Sequence, residues 1–349
     1  MYRFYIGTYT ARSGSKGIYT AEFDPALGAM RIVGETVSSN PSFAAINKAG
    51  TRLYTVNEKP GAHGDASSYA IDRGTGGLSF LGMVAAGGAS PCYIGLDPSE
   101  RAAIVTNYSS GSVSIFPLDD DGALSQASHT VTHEGKSVNE GRQAQAHAHS
   151  FIIDAAGRVI VADLGMDKLM VYDIDHSGSR PSLAFRTAVD APPGAGPRHM
   201  AFDAGYRRLY VVGELDSSVN AYDYDKASGG LSLFQSVSSL PPGFGGKNIG
   251  ADIHMSADGR FLYSSNRGED SIAVFSVDVG SGALTFVATQ PTFGRTPRNF
   301  AIDPSGRWLL AANQDTDNIV SFRLDPLSGL LEKASEVSVP TPVMILFAV

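Results

Sequence analysis

The chain has 349 residues, with 27 basic and 35 acidic side chains and a formal net charge of −8. That balance argues against a nucleic-acid backbone or an anionic membrane surface as a partner. With 39 glycines and only 18% charged residues, the composition favours short elements joined by tight turns and leaves little room for long amphipathic helices. The one cysteine, Cys92, has no internal disulfide partner, so a reducing, cytoplasmic setting is expected. No apolar run reaches the length of a membrane span, and the first residues read as a strand rather than a signal peptide.

In chain order, Tyr2–Gly7 is the first expected strand and Ile18–Asp24 the second, ending in an acidic turn. A phrase made of a turn, an arginine, an apolar strand and a polar residue then recurs. It appears as Gly50-Thr-Arg-Leu-Tyr-Thr-Val-Asn57, Ala156-Gly-Arg-Val-Ile-Val-Ala-Asp163, Asp258-Gly-Arg-Phe-Leu-Tyr-Ser-Ser-Asn266 and Ser305-Gly-Arg-Trp-Leu-Leu-Ala-Ala-Asn313, among other copies. Its arginines are Arg3, Arg52, Arg101, Arg158, Arg208, Arg260 and Arg307, and a residue kept in every copy reads as scaffold.

One strand precedes each later copy (Pro41–Asn47, Pro91–Asp97, Ala148–Asp154, Pro197–Asp203, Ala251–Ala257, Pro297–Asp303), and two follow it. Four short strands per repeat of about fifty residues is the pattern of a propeller blade. The first repeat lacks its opening strand, and Thr341–Phe347 supplies one at the far end of the chain. The expected fold is therefore an all-β, seven-bladed β-propeller in one domain over residues 1–349. Its ring closes by pairing the two ends, which leaves no exposed edge there. The longest repeat step contains the polar segment His133–Ala146, read as a loop over one face.

Two rings of residues follow from this register. The start of each inner strand gives Ser42, Cys92, His149, Arg198, Asp252, Arg298 and Val343; the end of each second strand gives Glu58, Asn107, Asp163, Glu214, Arg267 and Gln314, with neighbours. Repeated asparagines such as Asn107 commonly cap turns, and Cys92 reads as a small buried residue. His199, next to Arg198, is expected on the opposite strand face, packed between blades. His149, Arg198, Glu214 and Arg267 stand out, joined by Asp252, His254 and Arg298. Arginines beside a histidine and a glutamate suit an anionic metabolite. Glu58 and Asn107 complete the candidate substrate contacts.

The phrases Pro-Gly-Ala-Gly-Pro-Arg-His-Met-Ala-Phe (193–202), Glu-Leu-Asp-Ser-Ser-Val-Asn (214–220), Asp-Gly-Arg-Phe-Leu-Tyr-Ser-Ser-Asn-Arg-Gly-Glu-Asp (258–270) and Tyr-Ile-Gly-Thr-Tyr-Thr (5–10) resemble the seven-bladed propeller lactonases along the whole chain. That family includes propeller-type 6-phosphogluconolactonases and carboxy-muconate lactonizing enzymes. The resemblance implies hydrolysis of 6-phosphogluconolactone to 6-phosphogluconate, a pentose-phosphate reaction, with His149, Arg198, Glu214 and Arg267 as the catalytic set. In that scheme Glu214 or His149 is the base, Arg198 meets the oxyanion, and Arg267 with Arg298 holds the substrate anion. No metal or cofactor is expected, because the arginines would repel a cation. The alternatives are a cycloisomerase of carboxy-muconate-type lactones and a non-catalytic binding propeller. The second is disfavoured by the lack of Trp-Asp repeats around the single Trp308. The sequence sets no oligomeric state.

Overall fold

The computed structural model describes residues 1–11 and 14–348. They form seven four-stranded antiparallel sheets, and within six of them the strands lie in chain order. In the first blade the inner strand is Pro342–Ala348, paired with Tyr2–Thr8. The two ends of the chain thus share one blade, as the orphan strand implied. The other inner strands are Ala44–Ile46, Pro91–Leu96, Ala148–Ile153, Pro197–Phe202, Ile249–Met255 and Pro297–Ile302 for blades two to seven. These inner strands touch their neighbours all the way round the axis. The one helical element among the described residues is a 3-10 turn, Gln314–Thr316.

Seven separate apolar cores fill the seams between neighbouring blades, where the two-residue side-chain period turns one face of each sheet toward the next. Leu309, Phe322 and Phe300 of blade seven meet Tyr263 and Val274 of blade six in one seam, and Trp308 and Leu310 meet Phe4 and Phe23 of blade one in the next.

The recurring arginines explain themselves here. Five of the seven donate to a backbone carbonyl in the turn before the outer strand of the following blade. Arg3 reaches Arg73 O (3.0 Å), Arg52 reaches Asp121 O (2.8 Å), Arg208 reaches Ser281 O (2.9 Å), and Arg260 reaches Pro326 O (2.5 Å). Arg158 does the same with Lys226 O. At the closing seam Trp308 takes over, its Nε1 donating to Pro25 O at 3.0 Å. Its ring lies against Gly28 (φ +71°), where any Cβ would collide.

Six inner strands share one irregularity. The ladder slips by one residue just after the strand begins, and Cys92, His149, Arg198, Asp252, Arg298 and Val343 fall at the slip. A bulge of this kind adds a residue on one strand and re-aims its side chain. The same device in six blades turns six dissimilar side chains toward the axis.

Candidate active site

Glu214 is the hub of the upper mouth. It follows the second strand of blade five, and its N–H donates to Gly196 O (2.8 Å), which pins it beside the inner strand carrying Arg198. Its Oε2 accepts from Arg198 Nε and from Arg267 Nη2, both at 2.9 Å. Its Oε1 accepts from Arg142 Nη2 at 2.5 Å. Arg198 is 2% exposed, and its Nη1 also donates to Ala251 O (2.5 Å). The Arg267 Nη2 is shared with Gly250 O (2.7 Å). Burial pushes the Glu214 carboxyl up, but Arg267, Arg198 and Arg142 outweigh it and hold the group well below the usual carboxylate range.

Two groups beside this cluster are uncommitted. The Arg298 guanidinium makes no ion pair or hydrogen bond among the described residues and lies over the Tyr9 ring, 5.4 Å from its centroid. Burial opposes its charge; Tyr9, Glu58 and Glu214 restore it. His149 is 4% exposed, and its Nδ1 has no hydrogen-bond partner among the described residues. Burial first, then the charges of Arg198, His199, Arg298 and Arg267, push its pKa well below 6.5. The ring is therefore neutral at pH 7, with a basic nitrogen available. Arg142, Arg198, Arg267 and Arg298 face Glu58 and Glu214, so the mouth carries an excess of positive charge.

Glu58 lies on the opposite side of this mouth, where Tyr9 Oη donates to its Oε2 at 2.8 Å. Asn107 does not join it. Asn107 is the last residue of its strand and fully buried, and its Nδ2 donates to Ala86 O of the neighbouring blade (3.1 Å). Asn57, Asn266 and Asn313 are used in the same way, toward Ser39, Ser239 and Thr292. The rim position belongs to the next residue, as the backbone bonds of Glu58, Tyr108 and Glu214 show. A register one residue later would have selected Tyr9 and Tyr108, which the sequence reading missed. The Tyr108 ring lies flat on His147 (4.3 Å between centroids) and edge-on to His149 (5.8 Å). Arg142 was missed as well, although the long repeat step had marked its loop.

Asp252 and His254 are held apart from the arginine cluster. The Phe43 and Tyr93 rings stack on the axis at 4.0 Å, and His199 lies edge-on to both. One small cavity above this layer is lined by Cys92, His149, Arg198 and Arg298; another opens below it beside Asp252, His254 and Met344. His199 is thus not packed between blades as expected. The bulge at Arg198 breaks the alternation and sends the next side chain to the axis, where it meets rings from blades two, three and four.

Asp252 takes five hydrogen bonds, from His199 Nδ1 (2.7 Å), His254 Nε2 (3.1 Å), Asn299 Nδ2 (2.5 Å) and the N–H groups of Ile253 and Phe300. Burial opposes its charge, but His254 and His199 hold its pKa well below the usual range, so the carboxylate accepts and His199 Nδ1 donates. Cys92 donates to His149 O (3.0 Å), and burial, aided by Glu58, pushes its thiol up to about 12. Among the described residues no three His, Cys, Asp or Glu side chains converge as metal ligands would.

A ring of like blades that delivers unlike ionisable groups to one mouth defines an enzyme-type propeller, with its site on the axis. The model of the family described as "Lactonase, 7-bladed beta-propeller" matches residues 3–347, and the chain belongs to that family of lactone hydrolases. Among its relatives are a 6-phosphogluconolactonase of Bacillus subtilis, 39% identical over 305 residues (86% of this chain, 85% of the relative), and one of Formosa agariphila, 35% identical over 307 residues (86% of each). The solved structure of the Pseudomonas aeruginosa periplasmic gluconolactonase PpgL superposes with a TM-score of 0.92 at 35% identity, covering 99% of this chain and 98% of that one. Among the described residues no helix is long and apolar enough to cross a membrane.

Proposed function

We propose that the chain hydrolyses a phosphorylated sugar lactone, 6-phosphogluconolactone, at the upper mouth. The observation that carries this reading is the pairing of an uncommitted guanidinium, Arg298, with a neutral imidazole, His149, whose Nδ1 is buried and unpartnered.

The chemistry follows from those two groups. Water attacks the ring carbonyl carbon while its proton passes to His149 Nδ1, and the carbonyl π electrons move onto oxygen. The oxyanion is met by Arg298, with Arg198 behind it, in a setting already organised for negative charge. When the tetrahedral intermediate collapses, the ring C–O bond breaks and His149 returns the proton to the departing oxygen. The products are a carboxylate and a hydroxyl group.

Glu214 is a poor base, since three guanidiniums stabilise its charged form. Its role is to hold Arg198 and Arg267 in place. His149 is better suited, because it is unprotonated at working pH. Protonating it among arginines is costly, and a dianionic substrate offsets that cost. A phosphorylated substrate and a lone buried thiol both suit the cytoplasm, although the periplasmic relative shows that the fold does not select the compartment.

The test is the purified protein's rate of 6-phosphogluconolactone opening, corrected for the spontaneous reaction, alongside a carboxy-muconate lactone. Saturable opening of the first well above background, without turnover of the second, is expected. Turnover of the muconate lactone alone would favour the cycloisomerase, and turnover of neither would end this assignment.

A further inference from the structure

The four arginines of the mouth are not equivalent. Arg198 and Arg267 are buried, and each is tied both to Glu214 Oε2 and to a backbone carbonyl. Arg142 is the exception. Its side chain is 40% exposed, and it alone among the described residues donates to Glu214 Oε1. Its Nη2 also approaches Tyr108 Oη at 3.3 Å, and among the described residues no other bond to its guanidinium is formed.

The backbone beneath this arm is fixed. Asn139 O accepts from the N–H groups of Arg142 and Gln143, and Gln143, fully buried, donates its Nε2 to Leu164 O at 2.8 Å. Further back, His133 Nδ1 lies 2.6 Å from Asp163 Oδ2, and Ser137 Oγ donates to Asp167 Oδ2 at 2.5 Å. The segment is therefore an anchored strap carrying one half-exposed side chain, not a lid.

We infer that Arg142 is a specificity-determining residue for the phosphate of the substrate, an arm that leaves Glu214 Oε1 and closes on the phosphoryl oxygens when the phosphorylated lactone binds. This rests on the reading of the mouth as a lactone site. Arg142 holds the buried Glu214 through one nitrogen, from a side chain that is 40% exposed, whereas a phosphate dianion offers a guanidinium two parallel hydrogen bonds. Arg142 stands at the rim, the place for a group remote from the ring carbonyl. Arg298 stands deeper, beside His149, where the carbonyl reacts. Glu214 keeps both of its buried arginines through the exchange, so the reacting centre stays assembled. Binding energy from the remote phosphate would thus serve selection.

The test compares 6-phosphogluconolactone with gluconolactone, and calorimetric binding of 6-phosphogluconate with that of gluconate, in the wild type, Arg142→Ala and Arg142→Lys. Loss of a charge-assisted hydrogen-bonding group costs about 10- to 100-fold. The ratio of kcat/KM for the two lactones should fall by that factor in Arg142→Ala, mainly through KM, with 6-phosphogluconate binding weakened alike. Arg142→Lys should recover part of it. An equal loss on both lactones would mark Arg142 as structural, and an unchanged ratio would also overturn the arm. If the wild type opens neither lactone, the hydrolase reading falls and the arm is judged on 6-phosphogluconate binding alone. If the wild type binds no phosphorylated ligand, both fall.

Discussion

The two halves of the axial channel use one backbone device to opposite ends. Above the Phe43–Tyr93–His199 layer, bulges deliver His149, Arg198 and Arg298, and the result is an excess of guanidiniums with a histidine nitrogen left open. Below it, the equivalent bulge delivers Asp252, whose carboxylate accepts five hydrogen bonds and has little capacity left for a ligand. Lining an axis with charge is therefore not enough to make a site. The upper half has chemical potential because its polar groups are incompletely paired among themselves, and the lower half locks the ring together because its groups are saturated.

Removing the uncommitted cation should be the sharpest way to separate the halves. Arg298→Ala is expected to lower kcat/KM for 6-phosphogluconolactone about 10²- to 10³-fold while leaving the Tm nearly unchanged, since among the described residues this guanidinium has no ion pair to lose. Steady-state kinetics beside a thermal melt check both parts. Asp252→Asn should behave in the reverse sense. Disturbing a saturated buried acceptor costs about 1–3 kcal/mol of stability, so the melt should shift down while kcat stays within about threefold of wild type.

The dividing layer sets a pH dependence. Burial and Arg198 hold His199 at about 4, with Asp252 opposing, against an ordinary 6.5. Between pH 6.5 and 4 the unfolded chain binds a proton that the folded one refuses, so stability falls as pH drops through that window. The loss is on the order of 3 kcal/mol; it is fully avoided above pH 6.5, and denaturant melts at pH 7 and pH 4.5 should show most of it. The smallest effect concerns Cys92. A buried thiol held near 12 should resist iodoacetamide at pH 8 in the folded protein and react once denaturant is added, as mass spectrometry would show.

The architecture was legible because most blades repeat the same physical necessities: an arginine clamping the next blade in five of them, an asparagine tying back to the previous one in four, and an apolar strand between them. The ionisable column was legible because its members stand at a fixed distance inside the inner strand. The bulge itself leaves no mark in composition, so strict alternation put His199 in a seam when it lies on the axis. At Asn107 the rim register slipped by one residue for a related reason, although Glu58, Glu214 and Arg267 were placed in it. The repeating asparagine is the conspicuous residue, yet it serves the scaffold, while the variable residue after it, Glu58 or Tyr108, faces the mouth. Arg142 sits in an aperiodic strap, where no repeat could single it out.

The central claim turns on two histidines whose ring centroids lie 5.4 Å apart, His149 above that divide and His199 within it. Measuring kcat/KM for 6-phosphogluconolactone in His149→Ala and in His199→Asn, which keeps a donor toward Asp252, tests it most directly. The account predicts a loss of about 10³-fold in the first and less than tenfold in the second. Comparable losses in both, or a His149→Ala enzyme within threefold of wild type, would contradict it.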